Sequence, residues 1–215
     1  MATKRIVVLI SGSGSNLQAL IDATASGRID GRIVSVISNR PDAFGLERAR
    51  RAGIKAESLD HKTFASRETF DAALQSLIDS HEPDLVVLAG FMRILTPEFV
   101  SHYLGRMFNI HPSLLPRYKG LQTHQRALDA GDAEHGCTVH FVTPELDGGP
   151  LIVQAVVPVQ AGDDANSLQQ RVHEREHEIY PLAVEWFCAD RLRLLPQGVE
   201  FDGHPLPATG HRLDA

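Results

Sequence analysis

Short apolar runs alternate along the chain with stretches whose apolar positions recur every three or four residues. Ile6–Ile10 is a β-branched run that reads as a buried strand. Asn16–Ala25 follows, with Leu17, Leu20 and Ile21 at helical spacing. Ile33–Ile37 is a second strand, Phe44–Ala52 a helix ended by Gly53, and Ala56–Leu59 a short third strand. Ser66–Ser80 sets Phe70, Leu74, Leu77 and Ile78 on one helical face. Leu85–Ala89 reads as a central strand. Thr96 caps a helix opened by Pro97, and Met107–Ile110 is a fifth strand. Strands apolar on both faces that alternate with helices predict a parallel sheet covered by helices, joined by right-handed crossovers.

The pattern changes beyond Ile110. His111–Lys119 carries two prolines and cannot be a helix. Thr138–Val142 and Leu151–Val159 read as strands joined by a Pro/Asp/Gly-rich connection, Thr143–Pro150; Pro158 places the second at an edge or marks its end. Asp164–Asp190 is a long amphipathic helix that Pro181 is expected to kink, and Leu192–Leu195 adds a strand. The tail, about 205–215, reads as loose. The expected fold class is α/β: a Rossmann-like, open, mostly parallel twisted sheet with helices on both faces and an antiparallel C-terminal portion. No repeat or linker interrupts the 215 residues, so one domain with a core from about 5 to 195 is expected.

Composition narrows the function classes. With 43% hydrophobic and 22% charged residues, disorder is excluded as the main state. A net charge of −6 argues against a nucleic-acid partner. Two cysteines, Cys137 and Cys188, lack metal-type spacing and suit a reducing cytoplasm. No apolar run reaches the ~18 residues of a membrane helix. The start, MATKRIVVLISGSGS, does not read as a signal peptide.

In an open parallel sheet, ligands sit beyond the carboxyl ends of the strands, here after Ile10, Ala89 and Ile110. Ser11-Gly12-Ser13-Gly14-Ser15-Asn16 follows the first strand and opens a helix, so its backbone N–H groups and the helix dipole suit an anion. Ser15 or Asn16 is expected to cap that helix. The alternative is a tight turn without a ligand. A Walker A loop is excluded because the Gly-Lys-Ser/Thr ending is missing. A dinucleotide fingerprint fails too. Leu17 stands where its third glycine belongs, and Ser38-Asn39-Arg40 offers no carboxylate to a ribose. One phosphate fits better than NAD.

Asn109 and His111 lie two apart at the end of the fifth strand and face one side. An amide that holds an oxyanion and an imidazole that moves a proton near neutral pH suit acyl transfer. A structural role is the competing reading. Asp147 in Asp147-Gly148-Gly149-Pro150 is either ordinary turn chemistry or the carboxylate that orients His111. His173-Glu174-Arg175-Glu176-His177 matches the H-E-x-x-H spacing of zinc hydrolases. The extended form wants glycine and histidine where the chain has Tyr180 and Ala183, so no metal is expected. His173 and Glu176 share a helix face and suit a polar ligand, or else form part of a solvated charged face.

Ser11–Asn16 (SGSGSN), Phe91–Leu95 (FMRIL), Asn109–Pro116 (NIHPSLLP), Lys119–His124 (KGLQTH) and Val139–Pro150 (VHFVTPELDGGP) together resemble the phosphoribosylglycinamide formyltransferase family of folate-dependent formyltransferases. The resemblance runs from about residue 5 to 195. It implies transfer of a formyl group from the co-substrate 10-formyltetrahydrofolate to the amine of glycinamide ribonucleotide in purine biosynthesis. It implies Asn109, His111 and Asp147 as the catalytic trio, and Gly14, Ser15 and Asn16 as the substrate-phosphate loop. His173 and Glu176 match positions that contact the ribonucleotide. Position 173 is often glutamine in relatives, which makes His173 a departure. Arg67, Met92, Arg93, Ile94, Leu95, Thr143, Pro144, Glu145 and Leu146 match folate contacts. Small-molecule substrates, a cytoplasmic monomer or weak homodimer, and no nucleic-acid or membrane partner are the accompanying expectations. The nearest alternative is a formyltetrahydrofolate hydrolase. A zinc hydrolase using His173, Glu174 and His177 is the alternative from another class.

Overall fold

The computed structural model describes residues 2–215. The chain divides into two compact units, Met1–Asn109 and Ile110–Ala215. The first holds β1 (Lys4–Ile10), α1 (Ser15–Ala25), β2 (Gly31–Ser38), α2 (Phe44–Arg51), β3 (Ala56–Ser58), α3 (Arg67–Asp79), β4 (Leu85–Leu88) and α4 (Pro97–His102). Strand β5 (Met107–His111) begins in it and crosses the division.

All five strands pair in parallel, in the order β5-β4-β1-β2-β3. Ile6 to Ile10 are at most 1% exposed, as a strand covered on both faces must be. The chain steps one way from β1 to β3 and the other way from β3 through β4 to β5. Right-handed crossovers therefore put α1 and α2 on one face and α3 and α4 on the other. Accordingly, α1 packs on α2 and α3 on α4. The reversal between β1 and β4 makes the loops after these two strands diverge, which opens the space where such sheets take ligands.

The second unit holds α5 (Thr123–Asp129), β6 (Glu134–Phe141), β7 (Leu151–Pro158), α6 (Ala165–Cys188), β8 (Leu192–Leu195), β9 (Gly198–Phe201), β10 (His204–Pro205) and β11 (His211–Leu213). β6 and β7 are antiparallel, and β8, β9 and β10 form a small antiparallel sheet. Pro158 closes β7, as its missing N–H requires. Helix α6 packs on β6 and β7 and continues through Pro181. A proline inside a helix costs about 3 kcal/mol. Each fully buried large apolar side chain returns about 1.5–3 kcal/mol, and Leu168, Val172, Ile179, Val184 and others are buried along this helix.

Several elements depart from the sequence reading. The tail is not loose: β11 pairs in parallel with β7, and the Arg175 guanidinium donates to the carbonyls of Leu213 and Asp214 at 3.2 Å each. Helix α5 and the starting residues of β6 lie in polar sequence with no apolar period, so pattern alone does not find them. Gly136 has a steric reason, because a Cβ there would lie 2.0 Å from the Ala155 carbonyl oxygen. Gly136→Ala is expected to destabilise the fold by about 1–3 kcal/mol through overpacking, read as a lower urea midpoint.

Candidate active site

In the first unit, the loop after β1 is shaped by close backbone packing. Gly14 is the N-cap of α1, left-handed at φ 75° and ψ 31°, and no side chain caps the helix. This corrects the expectation of a Ser15 or Asn16 cap. The left-handed turn needs glycine, and the first N–H groups of α1 have no partner within the helix. The Asn16 Oδ1 is buried and has no hydrogen-bond partner. Gly14 and Gly45 of α2 approach so closely that a Cβ on Gly14 would lie 2.7 Å from the Gly45 Cα.

Ser11 joins this loop to the segment after β4. Its buried hydroxyl donates to Asn39 Oδ1 at 2.5 Å and accepts from the Met92 N–H at 2.8 Å. Farther along, the Thr96 N–H donates to buried Asp71 at 2.7 Å. The Met92–Leu95 segment is thus pinned at both ends. Between them Met92 and Ile94 stand exposed, 69% and 60%, while the Arg93 guanidinium lies 5.4 Å from the centre of the Phe70 ring. Arg67 is exposed at the first position of α3, within the turn closed by the Ser66–Thr69 capping box. The sequence reading places Ser11 in the glycine loop and Asn39 after the second strand without giving either this linking role, and it does not single out Asp71; the available signal is a polar residue at the edge of an apolar element.

Strand β5 carries Asn109, half-buried, and His111, buried, two positions apart and therefore on one face. In the second unit His111 and Asp147 come together, with Nδ1 and Oδ1 3.6 Å apart and both side chains less than a tenth exposed. The His111 Nε2 lies 2.8 Å from the Tyr118 carbonyl oxygen. That oxygen can only accept, so Nε2 carries the hydrogen and Nδ1 is the nitrogen turned toward the carboxylate. The Gly120 N–H donates to Asp147 Oδ2 at 2.9 Å. Asp147 is left-handed, φ 51°. A Cβ on Gly149 would meet the Phe141 carbonyl oxygen at 1.8 Å, so the Asp147–Pro150 turn folds tightly onto the end of β6. Thr143 is half-buried, Pro144, Glu145 and Leu146 are exposed, and Glu145 pairs with Lys119 at 2.8 Å.

The loop after His111 is fixed by two polar residues inside β6 and β7. Thr138 donates to the Ser113 carbonyl at 2.7 Å and accepts from the Leu115 N–H at 3.1 Å; Gln154 donates to the Leu115 carbonyl at 2.8 Å. Both are fully buried and satisfied, which is the condition for tolerating such groups in a core. The sequence reading treats both as strand residues only.

On α6, His173 Nε2 lies 3.8 Å from Oε2 of buried Glu176, and the rings of His173 and His177 stack at 6.5 Å. Among the described residues no three His, Cys, Asp or Glu side chains are grouped to hold a metal ion. Burial lowers the pKa of His173. His124 and His135 face each other at 3.1 Å, and burial first, then neighbouring imidazoles, hold both down to about 4. His173 and His111 are the neighbours acting on His124.

A parallel sheet covered by helices in the first unit, and a buried imidazole–carboxylate pair in the second, mark the chain as an α/β enzyme. The formyl transferase family signature matches residues 4–184, and the chain belongs to that family. It is similar to phosphoribosylglycinamide formyltransferase of Escherichia coli (strain K12), 57% identical, over 97% of this chain and 99% of that one. The same-named protein of Haemophilus influenzae is 49% identical over 97% and 98%. Its structure is similar to that of phosphoribosylglycinamide formyltransferase from Coxiella burnetii in complex with CHES, with TM-score 0.95, 52% identity and coverage of 99% and 100%. No helix of the described residues is long and apolar enough to cross a membrane.

The histidine pair predicts the acid response. The unfolded chain takes up protons near pH 6.5 where the folded pair does so near 4, so stability falls as pH drops from 6.5 toward 4. His140 and His173 shift in the same direction. Urea midpoints measured across that range are expected to decline, and His135→Gln to make the decline shallower.

Proposed function

We propose that this chain transfers the formyl group of 10-formyltetrahydrofolate to the amine of 5-phosphoribosylglycinamide, giving the N-formyl product of purine biosynthesis. The observation that carries the reading is the buried His111–Asp147 pair, on a chain that matches similarly named relatives nearly end to end. The whole chain is taken to act as one formyltransferase domain in the cytoplasm, as a monomer or weak homodimer. Its partners are these small molecules, with no metal, nucleic acid or membrane.

The roles follow from the groups present. The substrate amine attacks the formyl carbon, and the carbonyl oxygen becomes an oxyanion. The Asn109 carboxamide donates to that oxygen. The amine must then lose a proton and the folate N10 must gain one as its bond to carbon breaks. His111 Nδ1 exchanges that proton, because Nε2 is committed to the Tyr118 carbonyl. Asp147, held by the Gly120 N–H, faces Nδ1 and stabilises the positive charge while the proton is on the ring.

Binding roles are assigned on the same basis. Gly14, Ser15 and Asn16 offer N–H groups to the substrate phosphate, with the helix dipole adding to the attraction. His173 and Glu176 face the ribonucleotide. Exposed Met92 and Ile94, with Arg93 and Leu95, hold the folate ring system, assisted by Arg67 and by the Thr143, Pro144, Glu145 and Leu146 segment. Removing water from this apolar wall limits loss of the formyl group to hydrolysis.

The test is absorbance-monitored deformylation of the folate, with and without glycinamide ribonucleotide. Product formation is expected to require the ribonucleotide. Formate release at the same rate without it would identify a hydrolase instead. Asn109→Ala is expected to lower kcat about 10²–10³-fold, and His111→Ala about 10²–10⁴-fold, in steady-state assays. Glu176→Gln is expected chiefly to raise the KM for the ribonucleotide, with kcat little changed.

A further inference from the structure

We infer that Arg48, on α2, is a positioning residue for the phosphate loop: it holds the Ser13 carbonyl so that the loop presents its N–H groups to the substrate phosphate. This rests on the phosphate-binding role proposed above for Gly14–Asn16.

An anion site built from backbone must do two things at once. Its N–H groups must converge on the anion, and its carbonyl oxygens must be kept away from it. In a trans peptide the C=O and the following N–H point in opposite directions. Fixing one therefore aims the other. Two consecutive carbonyls of this loop are held by donors from α2. The Gly45 N–H donates to the Gly12 carbonyl at 3.0 Å, and Arg48 Nε donates to the Ser13 carbonyl at 2.7 Å. The Gly12–Ser13 and Ser13–Gly14 peptide planes are thereby set, and the N–H groups of Ser13 and Gly14 are turned away from α2. They lead directly into the first turn of α1, whose N–H groups have no helical partner.

Arg48 is itself held in place. Its Nη1 lies 3.4 Å from Gln18 Oε1 on α1, and its guanidinium sits 5.0 Å from the centre of the Phe44 ring. Its stem lies along Gly14, since a Cβ on that glycine would be 3.3 Å from the Arg48 Cδ. One side chain thus spans the loop, the helix that follows it and the helix beneath it. Gly45 supplies its bond from a backbone N–H, so its donor does not depend on a side chain. Arg48 is the member of the pair that mutation can remove.

The test compares two substrates that differ only in the phosphate. Arg48→Met keeps the apolar stem against Gly14 and deletes the donor. The KM for glycinamide ribonucleotide is expected to rise about tenfold, with kcat within about twofold, the scale of one lost charge-assisted hydrogen bond. The KM for the same ribonucleoside without its phosphate is expected to stay unchanged. The inhibition constant of inorganic phosphate, competing with the ribonucleotide, should rise by the same factor as the KM. Arg48→Lys keeps the charge but not Nε–H, so it should show the same phosphate-specific loss; it carries the comparison if the methionine variant does not fold. Equal rises for both substrates, or no rise for either, would overturn the inference. Failure of the proposed function looks different, because wild-type protein would then form no product from the ribonucleotide.

Discussion

His111 and Asp147 are kept almost dry, and everything around them is arranged so that neither is left short of a partner. A carboxylate removed from water without compensation costs several kcal/mol. Here Asp147 faces the imidazole on one oxygen and takes the Gly120 N–H on the other, while the far nitrogen of His111 is taken by the Tyr118 carbonyl. The loop that supplies those groups is tied to the strands beneath it by Thr138 and Gln154. The placement of His111 and its partners therefore depends on polar residues buried mid-strand. The left-handed Asp147 and the crowded Gly149 belong to the same requirement, because only a tightly folded turn brings the carboxylate up to the ring.

The first unit meets a parallel need by other means. Its central strands β1 and β4 are covered on both faces, so their polar neighbours emerge where those strands end. Ser11 sits at such an end and links the glycine loop to the Met92–Leu95 segment through one hydroxyl. Loop and segment then cannot shift independently of each other.

Much of this was legible in the sequence. β-Branched runs separated by 3.6-period stretches are a strong signal, and the parallel strands of the first unit follow from them. The pairing of His111 with Asp147 is also legible, because an imidazole at a strand end and an Asp-Gly turn are the sequence signals that point to it. What stayed hidden is physical too. Helix α5 and β11 have little apolar period, because pairing and local packing hold them rather than a wide buried face. Side-chain capping, the commoner solution, is what the sequence suggests for α1, whereas the helix opens at left-handed Gly14 with no side-chain cap. Thr138 and Gln154 look like ordinary strand residues until their long-range partners are known.

The contact between Gly14 and Gly45 has a consequence for how this loop can evolve. A methyl group on Gly14 would strike the Gly45 backbone, and one on Gly45 would displace the end of the Ile10 side chain. Widening the turn at Gly14 by substitution would require a simultaneous retreat of α2. Variation is thereby channelled away from the point where the turn meets α2.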